Sequence, residues 1–145
     1  MFKKILVPTD GSALAQKAVA TAAGLAKSQG AQIVGLYVID PFPYIGIGDA
    51  SAAGLQAYLA EAKSVAGQAL EGIAQGCQAE GVPFAGDTIE RNVVYEGILE
   101  TAEAEGCDLI VMASHGRQGV QALILGSVAQ KVLTHAKVPV LIVKG

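Results

Sequence analysis

Apolar residues follow one another along this chain in two alternating rhythms. Short runs rich in Ile, Leu and Val alternate with longer stretches in which apolar residues return every three or four positions. Lys3 to Val7 is the first run, a short buried strand closed by Pro8 and an Asp10-Gly11 turn. Ser12 stands at an N-cap position, and Leu14, Ala18, Ala22 and Leu25 follow at helical spacing until Gly30. Ala31 to Ile39 is a second strand, and a Gly- and Pro-rich loop from Pro41 to about Ser51 separates it from a long helix. That helix carries Leu55, Leu59, Ala62, Ala66, Leu70, Ile73 and Cys77 on one stripe. Beyond Gly81-Val82-Pro83, the more polar Phe84 to Glu90 is a third strand, and Val94 to Glu105 is a helix stopped by Gly106. Cys107 to Ala113 contains Leu109-Ile110-Val111-Met112, apolar on both faces as a central parallel strand should be. A connection bearing several glycines runs from Ser114 to about Leu125, then a helix from Ser127 to Ala136 and a last strand from Val140 to Val143.

Strands and helices thus alternate from end to end, which predicts a parallel sheet with helices on both faces and right-handed crossovers. The expected fold is a doubly wound α/β domain with a five-stranded parallel sheet, Rossmann-like, filling residues 1–145. With 145 residues, about one domain's worth, no second unit is expected.

Composition narrows the function classes. Hydrophobic residues make up 52% and charged residues 16%, which argues against disorder. Ten Lys plus Arg against thirteen Asp plus Glu give a net charge of −3, so the chain is not a globally basic nucleic-acid binder. No apolar run approaches the roughly 20 residues that cross a bilayer, and the mean hydropathy of +0.45 is read as a large core. Cys77 and Cys107 are too few for a disulfide framework or a four-cysteine zinc site. Two reduced thiols in a cytoplasmic protein, away from nucleic acid and membrane, is the expectation.

In doubly wound sheets, ligands sit beyond the carboxyl ends of the strands, where the strand order reverses. That singles out Pro8-Thr9-Asp10, Val38-Ile39-Asp40 and the segment that begins Met112-Ala113-Ser114-His115-Gly116-Arg117 and closes on Gly126-Ser127-Val128. Gly116 lets backbone approach a ligand, and Gly126-Ser127 opens a helix whose free N–H groups suit an anion. The motif is a phosphate cradle without a P-loop lysine. The plainer readings stand beside it. Ser127-Val128-Ala129-Gln130 is a capping box with Ser127 as the N-cap, Asp10 opens an ordinary turn, and His115 and Arg117 are solvated loop residues.

Ala113-Ser114-His115-Gly116-Arg117, nine residues from Gly116 to Gly126-Ser127, the opening Ile5 to Ser12 and the closing Val138 to Val143 resemble the universal stress protein family. The resemblance implies a cytoplasmic protein of the stress response that binds ATP, with or without Mg, or another adenine nucleotide. It implies nucleotide contacts at Pro8, Thr9, Asp10, Val38, Met112, Ala113, His115, Gly116, Arg117, Gly126, Ser127 and Val128. Asp10 would face the ribose, the Val38 backbone the adenine edge, and Ser127 the phosphate. It also implies a homodimer through antiparallel pairing of the last strand, which Val140→Lys or Ile142→Lys would convert to monomers. Two departures stand out. Ala113 replaces the first Gly of the family's Gly-x-x-Gly, where its methyl would crowd the ribose or α-phosphate, or shift the pose. Asn92-Val93-Val94-Tyr95 lacks the family's Gly-x-Pro. The alternatives are a family member that works by protein contacts alone and, further behind, a slow ATP hydrolase. No residue is marked as a general base beside a nucleophile.

Overall fold

The computed structural model describes residues 1–41, 52–116 and 125–145. The sequence readings for Phe42–Ser51, Arg117 and Gly119 lie outside the described residues. Strand β1 (Lys4–Pro8) is the middle of the molecule: it pairs in parallel with β2 (Gln32–Ile39) on one side and β4 (Leu109–Ala113) on the other. Two neighbouring strands and two covered faces leave Ile5, Leu6 and Val7 with no exposure, so an unbroken apolar run serves this position. β3 (Phe84–Glu90) lies outside β2 and β5 (Val140–Val143) outside β4, all parallel, in the order β3-β2-β1-β4-β5.

Helix α1 (Ala13–Gln29) and α2 (Ala52–Glu80) pack on one face. The other face carries α3 (Val94–Ala104) and α4 (Ser127–His135). Alternation along the strands feeds both cores. In β4, Leu109 and Val111 join the α1–α2 core with Ala113 packed against it, while Ile110 and Met112 join the α3–α4 core. The predicted stripe on α2 is borne out: Ala66, Ile73 and Cys77 are buried, and Leu55, Leu59, Ala62 and Leu70 half-buried. Cys77 and Cys107 are free and sit in opposite cores, so they cannot bridge. Burial pushes the Cys107 thiol up to about 11 and raises that of Cys77, which keeps both protonated.

Several boundaries shift by one or two residues. β1 runs one residue beyond the expected Val7, and β4 begins at Leu109 because Cys107 and Asp108 are spent joining α3 to the sheet. Ser12 caps α1 as predicted, accepting from Ala15 N at 3.2 Å. Ser127 does not cap α4. Gly126 is the N-cap, its carbonyl accepting from Gln130 N at 3.0 Å, and Ser127 is the first helical residue. The capping-box reading is therefore one residue out of register. Val140 and Ile142 are packed against the α3–α4 core, whereas Leu141 is 39% exposed on β5. A lysine at 140 or 142 would thus disturb the fold itself as well as any edge contact. Among the described residues, no helix is long and apolar enough to cross a membrane.

Candidate functional site

The chain order of the strands reverses between β1 and β4, and their carboxyl ends diverge there into separate loops. A cavity of about 700 Å³ opens at this point. The β1–α1 turn forms one lip. Thr9 Oγ1 accepts from Gly11 N at 3.0 Å and Asp10 Oδ1 accepts from Ser12 N at 2.9 Å, so Asp10 is both a turn residue and a wall of the cavity. The opposite lip is the end of β4, where Ser114 O accepts from Gly126 N at 2.8 Å and sets the start of α4 beside His115 and Gly116.

At both glycines a side chain would crowd the protein itself. A Cβ on Gly116 would stand 2.6 Å from Asp10 Oδ2, and one on Gly126 would stand 3.1 Å from His115 Cα. The sequence reading reserved the space at Gly116 for a ligand, but the neighbour that fills it is the Asp10 carboxylate. Because the first helical bond of α4 is Gln130 N to Gly126 O, the N–H groups of residues 127–129 precede the hydrogen-bonded ladder. Ser127, Val128 and Ala129 line the cavity. The positive end of a nine-residue helix therefore faces it.

Of the residues expected at the site, Pro8, Thr9, Asp10, Val38, Met112, Ala113, His115, Gly116, Gly126, Ser127 and Val128 all line this one cavity, and Arg117 lies outside the described residues. Leu36, Tyr37, Val94, Ile98, Leu125, Ala129 and Ala15 line it too and were not anticipated. In the sequence Leu36 falls within the second strand, Ile98 within the third predicted helix and Ala129 within the S-x-x-Q tetrad, and only the packing of α3 and α4 turns them into a wall. Ala113 contributes to the rim, yet it packs against the α1–α2 core, on the other face from Met112. One charge signal was also present in the sequence. Residues 109–145 contain Arg117, Lys131, Lys137 and Lys144 but no Asp or Glu, so the lobe that carries the glycine segment is wholly basic.

Among the described residues no three His, Cys, Asp or Glu side chains converge, and Asp10 is the carboxylate that lines the cavity, without Asp40. His135 lies in the last turn of α4, stacked on Tyr95 with ring centroids 5.6 Å apart, and Lys131 Nζ is 5.9 Å from the same ring. A second cavity, between α1 and α2, is walled by small residues such as Ala20, Ala23, Gly72 and Gly76. Its charged member, Glu80, is paired with Lys27 at 3.0 Å.

The sequence profile of the universal stress protein family matches residues 1–144. The chain belongs to that family. It is 36% identical over 145 residues to universal stress protein MJ0531 of Methanocaldococcus jannaschii, covering 99% of this chain and 83% of the relative. Protein MJ0577, a universal stress protein of the same organism, has a solved structure that superposes with a TM-score of 0.86 at 28% identity, covering 99% of this chain and 96% of that one. A universal stress protein from Archaeoglobus fulgidus, solved in complex with dAMP, shares the fold at a TM-score of 0.68 and 22% identity, covering 98% of both chains. The doubly wound sheet expected from the sequence is thus the universal stress protein fold.

Proposed function

We propose that this universal stress protein binds an adenine nucleotide, ATP foremost, in the cavity between the carboxyl ends of β1 and β4, as a signalling or structural ligand of a cytoplasmic stress response. The observation that carries the reading is the division of that cavity. Leu36, Val38, Ile98, Met112, Leu125 and Ala129 make an apolar wall suited to a planar base, and the N-terminus of α4 with Gly126 and Ser127 makes an anion-seeking rim. Asp10 lines the same cavity, and in this reading it would accept from ribose hydroxyls. The dAMP complex of the relative shows that this fold accommodates an adenine nucleotide in that protein. A hydrolytic step is no part of this reading.

Titration of nucleotide-stripped protein with Mg-ATP near physiological salt tests this. Saturable binding near one site per chain is expected. No heat at high micromolar ATP, at two temperatures, would overturn the reading in favour of a nucleotide-free interaction module.

A homodimer through β5 belongs to the same reading. Among the described residues β5 pairs with β4 alone and is an edge strand of the sheet, with Leu141 exposed on it. Leu141→Lys is the variant that spares the core. Sedimentation should show a micromolar dimer in the parent and monomer in the variant, and a monomeric parent would remove the idea.

A further inference from the structure

Ser114 lies between two residues that line the cavity, Ala113 and His115, with only 6% of its own surface exposed, and it was not among the residues expected to act there. Its backbone is held from both sides. The N–H donates to Val143 O of β5 at 2.9 Å, and the carbonyl accepts from Gly126 N at 2.8 Å. One residue therefore ties the end of β4 to the edge strand and to the start of α4. The side-chain Oγ lies 3.1 Å from Nδ1 of His115. The His115 main chain is confined in turn by Gly126, which tolerates it only for lack of a side chain.

A neutral imidazole carries its proton on one nitrogen, and the hydrogen bond made by the other nitrogen decides which. The Ser114–His115 contact can run in either direction; with Ser114 Oγ–H as the donor to Nδ1, the direction the proposal takes, the proton resides on Nε2. Among the described residues Nε2 has no hydrogen-bond partner, and His115 lines the cavity. We propose that Ser114 is a positioning residue that holds His115 in its Nε2–H form, so that the ring offers an N–H donor to the anionic part of the ligand beside the N-terminus of α4. The ligand half of this inference rests on the nucleotide reading above. The Ser114–His115 half does not. Ser114 itself is too buried to need any ligand contact, and its contribution to affinity passes through the ring.

Imidazole nitrogen NMR on ligand-free protein at pH 8, above the ordinary imidazole range of about 6.5, tests the tautomer directly. The chain has two histidines, so a His135→Gln variant assigns the signals. The parent and Ser114→Thr should show Nδ1 unprotonated and Nε2 protonated, and Ser114→Ala should show a mixture. A proton on Nδ1 in the parent, or an unchanged tautomer in Ser114→Ala, would overturn the proposal. If Ser114→Ala does not fold, Ser114→Cys, with its weak donor, supplies the same readout. Calorimetry with ATP provides the second arm. His115→Phe should weaken binding about tenfold, as loss of one hydrogen bond to a charged group does. Ser114→Ala should weaken it roughly threefold in the parent and not at all in the His115→Phe background. An equal loss in both backgrounds would show that Ser114 acts by another route and sink the inference. A parent that takes up no ATP would refute the nucleotide reading instead, with the NMR result still deciding the positioning.

Discussion

The two ends of the β1–β4 pair are built from the same strands and put their polar groups to opposite uses. At the amino end, Asp108 accepts from Lys3 N at 2.9 Å and from Lys4 N at 3.1 Å, and Asp108 N donates to Lys4 O at 2.9 Å. The Lys4 ammonium donates to Glu105 O, just past the end of α3, at 2.9 Å. Charge meets backbone there, and the rim is closed. At the carboxyl end, the Asp10 carboxylate, the His115 ring and the first N–H groups of α4 border a cavity of about 700 Å³. Polar groups spent on the fold lock the strands in register. Polar groups held around an opening are what a ligand can use.

Substitutions that separate stability from binding sharpen this contrast, and the largest effect is expected at the closed end. Asp108→Ala removes the acceptor for two backbone N–H groups. Hydrogen bonds to a charged group are worth about 1.5–3 kcal/mol, and partial exposure screens these, so a stability loss of about 2 kcal/mol is expected by urea unfolding. ATP affinity should stay within twofold. A variant that loses affinity in step with stability would show that the two ends are not separable. Acid should reproduce part of the effect. Burial raises the Asp108 pKa, but the Lys3 and Lys4 N–H groups outweigh it and hold the carboxyl below its ordinary value. A group depressed in the folded state adds stability above the unfolded value of about 3.9, and that stability is lost as pH falls through the folded value. Below about pH 4 the parent should therefore lose stability more steeply than Asp108→Asn.

At the open end the order of effects reverses. Ser127→Ala should leave stability within about 0.5 kcal/mol, because the N-cap of α4 is Gly126 and the Ser127 side chain is exposed. Its cost should appear in ATP affinity, about tenfold for a hydrogen bond to phosphate. Equal affinity in variant and parent would remove Ser127 from the phosphate site. A stability loss near 1 kcal/mol, the usual cost of a lost cap, would restore the capping role that the sequence suggested.

Much of this was legible in the chain, for identifiable reasons. The short apolar runs and the 3.6-residue stripes marked nearly every element, because the central strands bury both faces and each helix buries one against the same two cores. The glycine segment pointed to residues that line the β1–β4 cavity, because a close approach leaves glycine as its trace. Three features were hidden. The one-residue offset at Ser127 depends on where Gly126 turns, and S-x-x-Q fits either register. The apolar wall of Leu36, Ile98 and Ala129 is indistinguishable from core until α3 and α4 are placed. The direction of the Ala113 side chain follows from strand phase, which a motif comparison ignores.

That last point yields the smallest expected effect on binding. Read as a motif, Ala113 replaces a glycine, and its methyl should obstruct the ligand, so that Ala113→Gly would tighten binding. In the sheet, Ala113 has the phase of Leu109 and Val111, and it packs against the α1–α2 core, whereas the apolar wall of the cavity is built on the phase of Met112. The methyl is then part of the fold rather than an obstacle. Ala113→Gly should change ATP affinity by less than about twofold, under roughly 0.4 kcal/mol. It should also lower stability by about 1 kcal/mol, from glycine's entropy in a strand and the lost contact. Calorimetry and urea unfolding on the same preparation separate the two. Binding tightened severalfold would mean that the methyl reaches the ligand after all, and that strand phase is overridden at the mouth of the cavity.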